Sequence, residues 1–205
     1  NVNKNELIES KEKDGDERKT EVVEFYSDLT DEDLIPEEDL IVTLSREGYA
    51  KTQQLDVYQA QNRGGTGKRA TSFKEEDFIS KLFVANTHDT LLCFSSYGKV
   101  YWIKVYRLPK GGRNAKGRPI VNLLPLEQDE RIQAVLPVKE FNDNSFVFMA
   151  TESGTIKKTS LSAYSRPMKN GIKAIKLKDQ DKVVNVEITD GSKDIMLFAD
   201  SGKSI

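Results

Sequence analysis

The sequence is poor in the side chains from which most catalytic and metal sites are built. Its 205 residues include one histidine, His88, and one cysteine, Cys93. A lone thiol excludes an internal disulfide and suits a reducing compartment, so the expected location is the cytoplasm. His88 stands in Thr87-His88-Asp89, with no second histidine and with Cys93 too distant to join it. It therefore reads as a loop or capping residue rather than a metal ligand or triad base. Cys93, within Leu91-Leu92-Cys93-Phe94, reads as buried core, and so does Trp102. Glycines are present, but no phosphate loop of the Walker type is formed from them. Carboxylates such as Asp129 and Glu130 show no paired spacing. Long apolar runs are missing too, none approaching the roughly 18 residues of a membrane span. The opening Asn1-Val2-Asn3-Lys4-Asn5-Glu6 carries no signal-peptide pattern. Because Asn1 is not an initiator, the sequence is expected to be a fragment of a longer protein. No catalytic residue, metal site or cofactor is expected within it.

Charge of one sign is unevenly spread. The net charge is −2, yet residues 1–40 hold 5 of the 31 Lys/Arg and 15 of the 33 Asp/Glu. That is −10 for the first segment; the remaining 26 cations and 18 carboxylates leave +8 on residues 41–205. A basic body makes a polyanion a reasonable partner. In the first segment, Leu7 and Ile8 among charged residues suit the end of a helix, stopped at Asp14-Gly15-Asp16. The acidic stretch from Asp28 to Asp39 reads as a solvated linker. The expected division is 1–34, a helical arm and linker, and 35–205, a folded domain.

From residue 40 a unit recurs. Leu40 to Leu44 leads through Ser45-Arg46-Glu47-Gly48 to Tyr49-Ala50-Lys51-Thr52. Ser at the first turn position and Gly at the fourth suit a hairpin. Leu91 to Phe94 repeats this through Gly98, Phe146 to Ala150 through Gly154, and Ile195 to Ala199 through Gly202. These glycines are spaced by 50, 56 and 48 residues, and a second set, Gly67, Gly117 and Gly171, follows 19, 19 and 17 residues behind. Strand-like stretches come after each: Ala70 to Phe73, Ile120 to Leu124, Ile172 to Leu177. A fourth apolar run closes each unit: Phe78 to Ala85, Ile132 to Val138, Val183 to Ile188. Helix-period patterns are nearly absent after residue 40; the exceptions, such as Leu55 to Gln61 and Glu75 to Phe83, are short, and either could be turn-like. About four strands per repeat is the pattern of a propeller-type blade. A lone sheet cannot bury both faces; stacked blades cover each other. The fold class is all-β: four-stranded antiparallel blades, about three complete and the start of a fourth.

The loop before each second glycine is basic. It contains Gln61, Arg63, Gly64, Gly65, Gly67, Lys68 and Arg69 in the first repeat, and Arg113, Lys116 and Arg118 in the second. In the third it contains Arg166, Lys169 and Lys173, with Lys157 and Lys158 on the preceding strand. Glycine lets a backbone approach a phosphate, and Arg and Lys supply charge and donors. Three such loops in phase form a track suited to binding a duplex through its backbone and bending it, without base readout.

Gln61-Asn62-Arg63-Gly64-Gly65-Thr66-Gly67 resembles the seven-residue box of the C-terminal domain of bacterial DNA gyrase A, of proteobacterial type. That box usually has basic residues where Asn62 and Thr66 stand; Lys68 and Arg69 follow at once. The resemblance extends through Glu76 to Ser95, Gly117 to Arg131 and Phe148 to Lys158, and Gly15 to Thr20 resembles the exit from the coiled-coil arm of gyrase A. It implies a β-pinwheel, a six-bladed disc that wraps double-stranded DNA around its basic rim. Within an ATP-dependent type II topoisomerase, wrapping lets strand passage introduce negative supercoils. Gyrase B and a second copy of gyrase A are the implied protein partners, through parts not present here; no membrane partner is implied, and the fragment is expected to be monomeric. The active-site tyrosine and the ATPase belong to those other parts. Two alternatives stand beside this: the similar domain of topoisomerase IV, whose box is degraded or missing, and a propeller-like protein-interaction module displaying aromatics such as Tyr58 and Tyr164.

Overall fold

The computed structural model describes residues 2–15, 31–58, 78–112 and 115–204. By its internal contacts the chain forms two units, Asn1–Leu34 and Ile35–Ile205. Among its described residues the first holds one helix, α1 (Val2–Asp14), and a 3-10 turn at Asp31–Leu34. Leu7 and Ile8 are both exposed, so α1 has no buried stripe. Lys11 and Lys13 fall in its last turn, where cations suit the helix dipole. Among the described residues no helix is long and apolar enough to cross a membrane.

Among its described residues the second unit is built of β-strands, with 3-10 turns between them. Three hairpins repeat one local design. In the first, β1 (Asp39–Ser45) and β2 (Tyr49–Gln54) pair antiparallel. Gly48 has φ +85°, its amide donates to the Ser45 carbonyl at 3.0 Å, and the Tyr49 amide donates to Ser45 Oγ at 3.1 Å. The hydroxyl at the first turn position caps the strand that follows, and glycine accepts the left-handed backbone at the fourth. β4 (Thr90–Ser95) and β5 (Lys99–Lys104) repeat it with Ser95 and Gly98. β8 (Phe146–Thr151) and β9 (Ile156–Ser160) do so with Thr151 and Gly154. Gly202 likewise has φ +77°, but the expected strand from Ile195 to Ala199 is reduced to one bridge, Phe198 to Ser204.

Each hairpin gains a third strand at the edge of its first member. β3 (Ile79–Asn86) pairs with β1, β7 (Ile132–Val138) with β4, and β11 (Val183–Thr189) with β8. The opposite edge departs from the simplest reading of the repeat. The strands after Gly117 and Gly171 join the sheet of the preceding repeat, not their own. β6 (Arg118–Pro119) lies on β2, and β10 (Ile172–Lys173) lies on β5. The sheet orders are β3-β1-β2-β6, β7-β4-β5-β10 and β11-β8-β9. These exchanged strands are only two residues long. After β6 the chain turns at Ile120–Asn122 to bury Ile120, so the expected strand from Ile120 to Leu124 does not continue. Ala70 to Phe73 lies outside the described residues.

Stacking explains the continuous apolar strands. β4 is buried along its whole length, because its alternate side chains enter two cores. Leu91 and Cys93 join Leu40, Val42, Ala50 and Ala85 of the first sheet. Leu92 and Phe94 join Val147, Met149 and Val183 of the third. Full burial of such a side chain contributes about 1.5–3 kcal/mol, so the middle sheet secures both neighbours. Trp102 packs at the margin of the second core, its indole N–H donating to the Tyr164 carbonyl at 2.8 Å. His88 stands in the β3–β4 turn, with Nε2 2.8 Å from the Ile35 carbonyl.

Candidate nucleic-acid interface

The repeated hairpin fixes where the basic loops meet the sheets. In the first sheet Tyr49 pairs with Pro119 and Ala50 with Arg118. In the second, Lys99 pairs with Lys173 and Val100 with Ile172. Counted from the hairpin glycines Gly48 and Gly98 and from the loop glycines Gly117 and Gly171, the register is the same. The Ile120 amide donates to the Gly48 carbonyl, and the Ala174 amide to the Gly98 carbonyl, both at 2.8 Å. Gly117 and Gly171 both have positive φ, +84° and +68°. The second and third basic loops are thus docked in equivalent ways on successive sheets.

Lys116 and Arg118 come with β6 to the β2 edge of the first sheet. Arg118 is exposed. The Lys116 ammonium sits 4.0 Å over the Tyr49 ring and 3.6 Å from Glu47 Oε2. Tyr49 first, then Glu47, raises its pKa above the ordinary lysine value. Lys173, on β10, is exposed at the β5 edge of the second sheet, as are Arg166 and Lys169 in the loop leading to it. Lys157 and Lys158 lie on β9, the corresponding strand of the third sheet. Lys157 Nζ donates to the Ala174 carbonyl at 2.6 Å, and Lys158 Nζ lies 4.1 Å over the Phe146 ring. Five of the seven described candidates, Lys116, Arg118, Lys157, Lys158 and Lys173, therefore fall on or next to the strands at one edge of their sheets, and Arg166 and Lys169 lie in the loop that leads to β10. Gln61, Arg63, Gly64, Gly65, Gly67, Lys68, Arg69 and Arg113 lie outside the described residues.

Two further cations belong to this edge. Lys99 stands directly opposite Lys173; its position one residue past a hairpin glycine was the available signal. Lys110 enters the second loop. Both are held by carboxylates, Lys99 by the exposed Glu127 at 2.5 Å and the exposed Lys110 by the half-buried Glu38 at 2.8 Å. Pairs with one solvent-exposed member at the surface contribute about 0–1 kcal/mol, so a phosphate can displace the carboxylates at small cost. Among the described residues no group of His, Cys, Asp and Glu is placed to hold a metal ion. Tyr164 is buried, 2% exposed, so it offers no docking aromatic; the Tyr58 side chain lies outside the described residues.

A family model described as "DNA gyrase C-terminal domain, beta-propeller" matches residues 39–86, 89–139 and 145–190. These three segments coincide closely with the three repeats. The DNA gyrase A protein of Aeromonas salmonicida is 57% identical over 204 residues, covering 100% of this chain and 22% of that protein. Its Haemophilus influenzae counterpart is 55% identical, covering 100% of this chain and 23% of its own length. The chain thus spans less than a quarter of these relatives. Among solved structures, the C-terminal domain of DNA topoisomerase IV aligns with TM-score 0.65 at 32% identity, covering 77% of this chain and 47% of the other. The DNA gyrase A C-terminal domain aligns with TM-score 0.57 at 29% identity, covering 74% and 48%. With three stacked sheets, a repeated register and matches along all three repeats, the chain belongs to the DNA gyrase C-terminal domain family.

Proposed function

We propose that this chain binds double-stranded DNA along the β2, β5 and β9 edges of its sheets. In the full gyrase it wraps the duplex so that strand passage introduces negative supercoils. The observation that carries this reading is the shared register of the second and third loops, which sets cations at equivalent edges of successive sheets. A surface that repeats with the sheets suits a ligand whose charge also repeats, and the duplex backbone is such a ligand. Wrapping needs no base contact, only phosphate contacts and a deformable duplex. The chain's role is to hold DNA; cleavage, ATP use, and pairing with gyrase B and a second gyrase A fall to other parts of the enzyme, in the cytoplasm.

The topoisomerase IV reading draws on the fold likeness. The whole-chain identities of 57% and 55% to gyrase A proteins favour gyrase. Ligating a nicked plasmid in the presence of the chain tests the proposal: trapped writhe, read as a shifted linking-number distribution, supports wrapping. An unchanged distribution at saturating protein would sink it.

A further inference from the structure

Lys51 is a lysine in the wrong place for a solvated strand. It lies on β2, yet it is 2% exposed. Its Nζ donates to the Gly112 carbonyl at 3.1 Å and to the Ala115 carbonyl at 2.9 Å. Those two residues flank positions 113 and 114 of the second basic loop. The Ala115 amide also donates to the Gly112 carbonyl, at 3.1 Å, so one ammonium and one amide close the same neck. The lysine stem serves as a floor: a Cβ at Gly111 would stand 3.4 Å from Lys51 Cδ, and one at Gly117 3.1 Å from Lys51 Cβ. Backbone bonds complete the seat, Thr52 N to the Pro109 carbonyl at 2.9 Å and Gly111 N to the Thr52 carbonyl at 3.0 Å. Burial lowers the Lys51 pKa from the ordinary value, so the fold accepts a desolvation cost to place a cation there.

The position recurs. Lys51 is the third residue past Gly48, and Tyr101 is the third past Gly98. Tyr101 lies under the next loop in the same way: a Cβ at Gly171 would stand 2.7 Å from Tyr101 Cε1. Its hydroxyl is taken by Glu130, at 2.9 and 3.1 Å. In both sheets this buried residue supports the loop of the following repeat. Of these two buried residues, it is Lys51 that reaches the loop's carbonyls with a charge.

We propose that Lys51 is a positioning residue for DNA binding: its ammonium pins the neck of the second basic loop and so fixes Lys110, Lys116 and Arg118 at the β2 edge. This rests on the DNA-binding reading above. Lys51 is too buried to touch phosphate itself. It acts through the loop, by reducing the disorder the loop would otherwise lose on binding.

The test is Lys51→Met in the full chain, which keeps the stem and removes the donor. Amide hydrogen exchange at Ala115 should quicken by about tenfold or more, while Leu92 and Trp102 in the middle sheet keep their protection. Duplex affinity at 0.1 M salt should fall by about fivefold. The same substitution in a background with Lys110, Arg113, Lys116 and Arg118 all changed to Ala should weaken binding by less than about twofold further, because the loop then carries no cation left to position. Unchanged exchange at Ala115, or fully additive affinity losses, would overturn the proposal. If the unaltered chain binds no DNA, the DNA-binding reading fails, and Ala115 exchange alone decides whether Lys51 pins the loop. If Lys51→Met does not fold, lysine-selective 15N spectra of the unaltered chain decide. Slowly exchanging Lys51 ammonium protons coupled to the Gly112 and Ala115 carbonyl carbons uphold the proposal; a freely averaging signal overturns it.

Discussion

Gly117 and Ala50 meet so closely that a Cβ on residue 117 would stand 2.3 Å from the Ala50 carbonyl oxygen, at a φ of +84°. Gly171 and Val100 repeat the contact in the second sheet, at 2.8 Å. The exchanged strand enters each sheet through this approach, so the glycine controls where the basic loop is anchored. Gly117→Ala should destabilise the domain by more than about 2 kcal/mol, from left-handed strain plus the backbone collision. Gly154→Ala has φ +81° but nothing within 4 Å of the added Cβ, and should cost only the strain, about 1 kcal/mol. Urea unfolding of the two variants measures the difference.

The third hairpin contains an acid-sensitive contact. The Ser153 hydroxyl donates to Asp181 Oδ2 at 2.6 Å, and the Ser153 amide to Oδ1 at 2.9 Å. The Ser153 hydroxyl is the main cause that draws the Asp181 pKa from 3.8 to about 2. A depressed folded-state pKa gives stability that is present above the unfolded value and lost as pH falls through the folded one. Acid unfolding of the native chain should therefore include a component between about pH 4 and pH 2. Asp181→Asn should lack that component while matching the native pH dependence at higher pH.

Cys93 lies fully buried between the first and second sheets, and burial pushes its thiol up to about 12. The thiolate is the reactive form. Native protein at pH 8 should resist a thiol reagent, and labelling should track unfolding as urea is raised. Rapid labelling of the native chain would contradict the stacked-sheet core.

Individual rim cations should act through charge alone. Lys173→Ala should weaken duplex binding to about the same extent on unrelated sequences and reduce the salt slope by about 1. Lys116→Ala should do the same and also release Glu47. Filter binding on two duplexes of different sequence checks both; a loss confined to one sequence would point to base readout.

The hairpins were legible because each one is specified locally, by a hydroxyl at the first turn position and a glycine at the fourth. The buried runs of β4 and β7 were legible from their apolar content. Strand exchange was not. Arg118–Pro119 and Ile172–Lys173 are too short to show a period, and the sheet edge they choose depends on Ala50 and Val100, far off in sequence. Lys51 was hidden for a related reason. In Lys51-Thr52-Gln53-Gln54 it looks like one more solvated strand residue, and carbonyls some sixty residues downstream help make its burial tolerable. The basic loops were visible as composition. Their common edge became apparent only through the register of β6 and β10.

On the proposed function, phosphate contacts at this edge hold the duplex. The most direct test is an equilibrium titration of the chain with a long duplex from 50 to 200 mM salt. If about eight phosphates are neutralised, log K should fall against log salt with a slope near −7. An affinity unchanged across that range would contradict the account.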